Sequence, residues 1–129
     1  MTRILIVEDN EEVSRMYERL FRLNGYEVSI APDGAYALKV LRSSSELPAA
    51  IIMDVSMPNM NGYTLLQNIK NEETLKKIPI AVLTNSIIKE KSEEFYALGA
   101  DLYLVKLDQS SKDIVSKVDK LIKEREFIK

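Results

Sequence analysis

Glu8, Asp9 and Asp54 are the residues of this chain whose types and spacing point first to chemistry. Glu8 and Asp9 close the apolar run Ile4-Leu5-Ile6-Val7, and Asp54 closes Ala49-Ala50-Ile51-Ile52-Met53. Carboxylates gathered at strand ends repel one another unless a cation sits between them. Oxygen ligands of this kind suit a hard cation such as Mg²⁺, and an Asp carboxylate is also able to act as a nucleophile toward phosphorus. Thr84 ends a later apolar run and Lys106 follows another, so a hydroxyl and an ammonium stand at equivalent places. The chain has neither His nor Cys. That excludes a Ser-His-Asp triad, a cysteine nucleophile and a usual zinc site.

The elements that must position these groups are legible as five short apolar runs. Those read most plainly are β-branched-rich and continuous rather than alternating, as strands covered on both faces require. They predict strands over 3–8, 26–31, 49–54, 79–84 and 102–105. Helical spacing fills the intervals. Val13, Met16, Tyr17, Leu20 and Leu23 recur within 10–24, where Asn24-Gly25 supplies a left-handed stop. Asp33-Gly34 opens a helix to about residue 43 with Ala37, Leu38 and Leu41 inward, and Leu65, Leu66 and Ile69 mark another up to about residue 70. The segment from Ser56 to Gly62 reads as loop, because Pro58 disfavours helix before it and its Asn residues and Gly62 suit turns. Residues 89–98 form a helix with a mostly polar middle, for which little burial is expected. The last helix, about 110–126, buries Ile114, Val115, Val118, Leu121 and Ile122, and Ser110 to Asp113 resembles a capping box.

Strict alternation of strand and helix with right-handed crossovers gives an α/β fold, a doubly wound (βα)5 flavodoxin-like sandwich with a five-stranded parallel sheet of order 2-1-3-4-5. The 129 residues fit one domain, 1–129. Strands one and three then lie side by side where the winding reverses, which is where open α/β sheets bind ligands. One crevice therefore gathers Glu8, Asp9, Asp54, Thr84 and Lys106. Four of these have a structural alternative. Asp9 suits a helix cap, Asp54 a turn before Pro58, Thr84 an ordinary strand position and Lys106 a solvent-exposed one. Four strands ending independently in complementary polar groups on one edge favour the functional reading.

A formal net charge of −2 and a pI near 5.3 argue against direct nucleic-acid binding, which normally shows a basic face. Lys76-Lys77 and Lys89 to Lys91 read as solvated helix ends or loops. No apolar stretch approaches the roughly 20 residues that span a bilayer. No secretory leader is evident, so membrane insertion is not expected and a cytoplasmic location is.

Four segments together closely resemble the receiver domain of response regulators, the phosphoacceptor module of two-component signalling, and the single-domain chemotaxis regulators in particular. They are Val7-Glu8-Asp9-Asn10, Met53-Asp54 through Gly62, Leu83-Thr84, and Gly99-Ala100-Asp101 through Lys106. The resemblance implies that Asp54 becomes an aspartyl phosphate, that Asp9, Asp54 and the Ser56 carbonyl hold Mg²⁺ with Glu8 acting through water, and that Thr84 and Lys106 contact phosphoryl oxygens. It implies a sensor histidine kinase or histidine phosphotransfer protein as donor and a downstream protein as target. It also implies a signalling switch rather than a turnover enzyme. Tyr103 matches the switching aromatic, expected to turn inward as Thr84 moves, or else is a half-buried strand residue; the output face would be helix four, strand five and helix five.

Two positions depart from the family pattern. Asn85 stands where a small residue is usual, which bears on access to the phosphoryl group. Leu107 replaces the usual Pro, so a trans bond after Lys106 is expected, with Asp108 to Ser110 absorbing the altered path. The competing functions are a pseudo-receiver that binds partners without being phosphorylated, a haloacid-dehalogenase-like phosphohydrolase and a flavin-binding protein. Ser56 stands where such a hydrolase needs a second Asp, and Glu8-Asp9 occupies the place of a phosphate-cradling loop.

Overall fold

The computed structural model describes residues 2–85 and 89–128, with backbone only for Lys89, Glu90, Phe127 and Ile128. Five parallel strands, β1 (Arg3–Val7), β2 (Glu27–Ala31), β3 (Ala50–Asp54), β4 (Ile80–Thr84) and β5 (Leu102–Val105), stand in the expected order 2-1-3-4-5. Helices α1 (Glu11–Leu23), α2 (Gly34–Ser43), α3 (Gly62–Lys70), α4 (Lys89–Ala97) and α5 (Ser111–Ile128) connect or follow them.

Alternation along the strands sends side chains to two separate cores. Leu5, Val7, Ile51, Met53, Ile80 and Val82 pack toward α2, α3 and Phe95 of α4. Ile4, Ile6, Ile52, Ala81, Leu83 and Leu104 pack toward α1 and α5. With both faces covered, the central strands β1, β3 and β4 are buried nearly throughout and their sequences are nearly continuous in apolar residues, whereas the edge strand β2 carries Glu27 and Ser29 at half-buried positions.

Local signals set the turns. Gly25 adopts φ +90° after α1, a conformation L side chains rarely adopt. Asn10, Asp33 and Asn61 cap α1, α2 and α3 through side-chain oxygens that accept from Val13, Tyr36 and Thr64. The capping box of α5 forms as expected, Ser110 N–H donating to Asp113 and Asp113 N–H to Ser110 Oγ.

Three expectations need correction. The buried face of α1 is Ser14, Tyr17 and Phe21, while Met16 is 40% and Leu23 77% exposed. In α4, Phe95 is buried at 2% exposure, so this helix has a firm anchor despite its polar middle. Leu121 of α5 is only half-buried. Lys76, Lys77 and Lys91 are exposed as expected; the side chains of Lys89 and Glu90 lie outside the described residues.

No cis peptide occurs among the described residues, so the Lys106–Leu107 bond is trans. A 3-10 turn over Lys106–Asp108 followed by an extended Gln109 leads from β5 toward α5.

Candidate functional site: an acidic crevice beside a lysine

Sheet register alone brings the acids level. Val7 pairs with Met53, so the next residues, Glu8 and Asp54, emerge side by side at the carboxyl end of the sheet. Asp54 pairs with Leu83 and Leu83 with Leu104, which puts Thr84 one residue and Lys106 two residues farther out on the next strands. Oxygens of Glu8, Asp9 and Asp54 lie within 4.8 Å of one another.

Lys106 leans across the group. Its Nζ lies 3.2 Å from Glu8 Oε1 and 3.6 Å from Asp54 Oδ1, with 20% of the lysine side chain exposed. Glu8 is buried and its other oxygen accepts from Asn10 N–H at 3.1 Å. Asp54 Oδ1 accepts from Val55 N–H at 2.9 Å. Asp9 is exposed, which leaves the cluster open on one side. It is not the cap of α1, since Asn10 fills that role.

Burial pushes Glu8 above the usual carboxylate range and the neighbouring Asp54 adds to the rise, against the Asn10 N–H and Lys106. Burial also raises Asp54; Lys106 and the Val55 N–H oppose it, and Asp9 adds to it. For Lys106, burial works to lower the ammonium's value, but the Asp54 and Glu8 carboxylates outweigh it and leave it raised. Three carboxylates facing one ammonium form an oxygen donor set with a surplus of negative charge. That fits a hard divalent cation better than it fits the cluster by itself.

Ser56 is exposed in the 55–61 loop, two residues beyond Asp54. Thr84 is buried at 6% exposure. Tyr103 lies farther off, half-buried on the α4 side. Its ring centroid is 5.6 Å from that of Phe95, whose ring in turn meets Tyr63 edge-on at 5.6 Å. The Tyr103 hydroxyl is buried and its N–H donates to Tyr96 Oη at 3.0 Å. Asn85 is exposed beside Thr84.

Sequence reasoning missed Phe95, the residue that ties α4 to Tyr103. It also missed the contact of Asp33 with Asn59, whose oxygen and nitrogen lie 2.8 Å apart across 26 positions. At the opposite end of the sheet is a cleft of about 970 Å³ whose lining includes Lys70, Lys76, Lys77 and Arg125. Its cations are largely engaged: Lys70 with the Lys76 carbonyl, Lys76 with Glu73 and Arg125 with Asp101.

A five-stranded sheet of this order, with acids at its winding reversal and a lysine after the edge strand, defines a class of signalling module. Residues 4–119 match the response regulator receiver domain, and the chain belongs to that family. Among relatives, it is 34% identical over 124 residues to the transcriptional regulatory protein PrrA of Mycobacterium tuberculosis, covering 95% of this chain and 51% of PrrA. The chain thus spans about half, or less, of the length of the curated relatives it matches. Its fold superposes on Vibrio cholerae chemotaxis protein CheY4 with a TM-score of 0.83, at 30% identity over 93% of this chain and 98% of CheY4. The Mn²⁺-bound form of the response regulator Rcp1 matches with a TM-score of 0.80 at 30% identity, covering 94% and 91% of the two chains. No described helix is long and apolar enough to cross a membrane.

Proposed function

We propose that this chain accepts a phosphoryl group on Asp54 in a Mg²⁺-dependent reaction and switches the surface formed by α4, β5 and α5 to control a protein partner. The observation that carries the reading is the convergence of Glu8, Asp9 and Asp54 with Lys106 Nζ 3.6 Å from the Asp54 carboxylate. The Mn²⁺-bound state of Rcp1, a relative of the same fold, supports a divalent cation here.

Asp9, Asp54 and the Ser56 carbonyl would hold Mg²⁺, with Glu8 acting through water. Bound Mg²⁺ neutralises the approach of a phosphoryl anion to carboxylates. The chain has no His to carry the group, so the donor is another molecule, a sensor histidine kinase or a histidine phosphotransfer protein. An Asp54 oxygen attacks phosphorus and an O–P bond forms as the bond to the donor imidazole nitrogen breaks. The electron pair returns to that nitrogen, which takes a proton from water. Lys106 and Thr84 contact the phosphoryl oxygens as charge partner and hydroxyl donor. Thr84 and Tyr103 carry the switch toward α4, and the module works in the cytoplasm.

Intact-mass measurement after incubation with Mg²⁺ and a small phosphodonor tests this. One phosphoryl group should be gained by the wild type and none by Asp54→Asn. Labelling of Asp54→Asn would sink Asp54 as the acceptor, and no labelling of the wild type with any donor would sink the proposal in favour of a phosphorylation-independent binding module.

A further inference from the structure

We propose that Asp33 and Asn59 form a brace that positions the loop 55–61 for cation binding, making Asp33 a positioning residue of a site it does not touch. The inference rests on the reading of Asp54 and the Ser56 carbonyl as cation ligands.

Asp33 uses its two oxygens on two different elements. Oδ1 accepts from Tyr36 N–H at 2.8 Å and caps α2, while Oδ2 accepts from Asn59 Nδ2 at 2.8 Å. A carboxylate only accepts, so the Asn59 amide must present its NH₂. Tyr36 N–H and the Asn59 amide hold Asp33 below the usual carboxylate range, so it is charged at neutral pH and the bond to Asn59 is charge-assisted.

Asn59 is the single non-glycine residue with positive φ, at 65°, among the described residues. Asn is among the few L residues that adopt this region readily, so its own tolerance and its surroundings act together to hold it there. The surroundings are α2. Besides the Asp33 bond, Gly34 N–H donates to Met60 O at 3.3 Å, and a Cβ at Gly34 would stand 2.6 Å from that oxygen. The base of the loop is closed by its own chain, Gly62 N–H donating to Val55 O at 2.9 Å. Ser56 lies between base and crown. The crown is tied to α2, and Asp33 supplies the side-chain tie. Loosening it lets the Ser56 carbonyl sample other positions, which lowers the apparent cation affinity by the fraction of time it is misplaced.

Calorimetric Mg²⁺ titration of five proteins, the wild type and four variants, tests the brace. Asp33→Ser keeps a hydroxyl to cap Tyr36 but loses the oxygen facing Asn59. Asn59→Gly keeps the backbone conformation but loses the amide. Each should weaken Mg²⁺ binding roughly tenfold, the low end for groups that orient metal ligands. The double variant should be no weaker than the weaker single, because both remove one interaction. Asp33→Asn combined with Asn59→Asp, which exchanges donor and acceptor, should recover most of the affinity. Circular dichroism of each metal-free variant should match the wild type. Unchanged affinity in either single variant, full additivity in the double, or no recovery in the exchanged pair overturns the brace. Tight wild-type binding beside unchanged variants overturns the brace alone, whereas a wild type that binds no Mg²⁺ overturns the metal reading and the brace together.

Discussion

Replacing Lys106 by Met should destabilise the metal-free protein and tighten its hold on Mg²⁺. The substitution keeps an apolar stem of similar length and deletes the ammonium that faces Glu8 at 3.2 Å and Asp54 at 3.6 Å. At an effective dielectric constant of about 20 each contact is worth roughly 5 kcal/mol of attraction, but desolvation of the three groups cancels much of it. The loss has a ceiling. Once the ammonium is gone, an acid is able to take a proton instead, which for an ordinary carboxyl at pH 7 costs roughly 4 kcal/mol and for one already raised costs less. Glu8 and Asp54 are both raised by burial. A net loss of about 2 kcal/mol follows, or roughly 8 °C in melting temperature for a chain of this size. The sign with pH is fixed. Carboxyls whose folded values are raised stabilise the fold below their unfolded values, and that contribution disappears as pH rises through the folded values. The deficit of Lys106→Met should therefore be small near pH 4 and full at pH 7. Mg²⁺ competes with the ammonium for the same oxygens, so its affinity should rise about tenfold in the variant. Urea unfolding in chelator at both pH values, with a Mg²⁺ titration, measures all of this. A variant as stable as wild type at pH 7 with unchanged Mg²⁺ affinity would refute the view that Lys106 stands in for a cation among the acids.

Mg²⁺ should raise the melting temperature of the wild type, and Asp9→Asn should remove most of that rise; a Mg²⁺-induced rise as large in the variant as in the wild type, read from thermal scans, would exclude Asp9 as a ligand. Gly62→Ala would put a Cβ 2.5 Å from Asp54 O and 3.0 Å from Val55 Cα, so it should cost about 2 kcal/mol of stability in urea titration and weaken Mg²⁺ binding severalfold. Tyr26→Phe deletes the hydroxyl that donates to Asp119 and should cost about 1.5 kcal/mol at pH 7. Burial works against the shift, but Tyr26 and Lys123 hold Asp119 below the usual carboxylate range. The advantage of Tyr26 should therefore be lost as pH falls through that lowered value, which unfolding at a series of acid pH values detects.

The acidic cluster was legible because strand register is simple arithmetic. Residues that follow equally long buried runs emerge at the same edge, so Glu8 and Asp54 are brought together by the pairing of Val7 with Met53. The face of α1 was not, because the buried position Ser14 is polar and answers its own hydroxyl locally, donating to Glu11 O. With Ser14 read as surface, the apolar stripe slips toward Met16 and Leu23 and passes over Phe21. Phe95 was hidden by the charged residues before it; one large ring supplies the anchor that no periodic stripe advertises. The Asp33 to Asn59 contact joins two loops 26 residues apart, and neither loop's composition names its partner.

The bond from Tyr103 N–H to the Tyr96 hydroxyl has a bearing on solubility. β5 has a neighbour on one side only, and a free strand edge is a template onto which another chain is able to add a strand. A side chain from α4 occupies one donor of that edge, and only four residues of strand are present to be copied. Any displacement of α4 that withdraws Tyr96 would uncover the donor. A state of the protein built to present this surface to a partner would thus also be its state most prone to self-association.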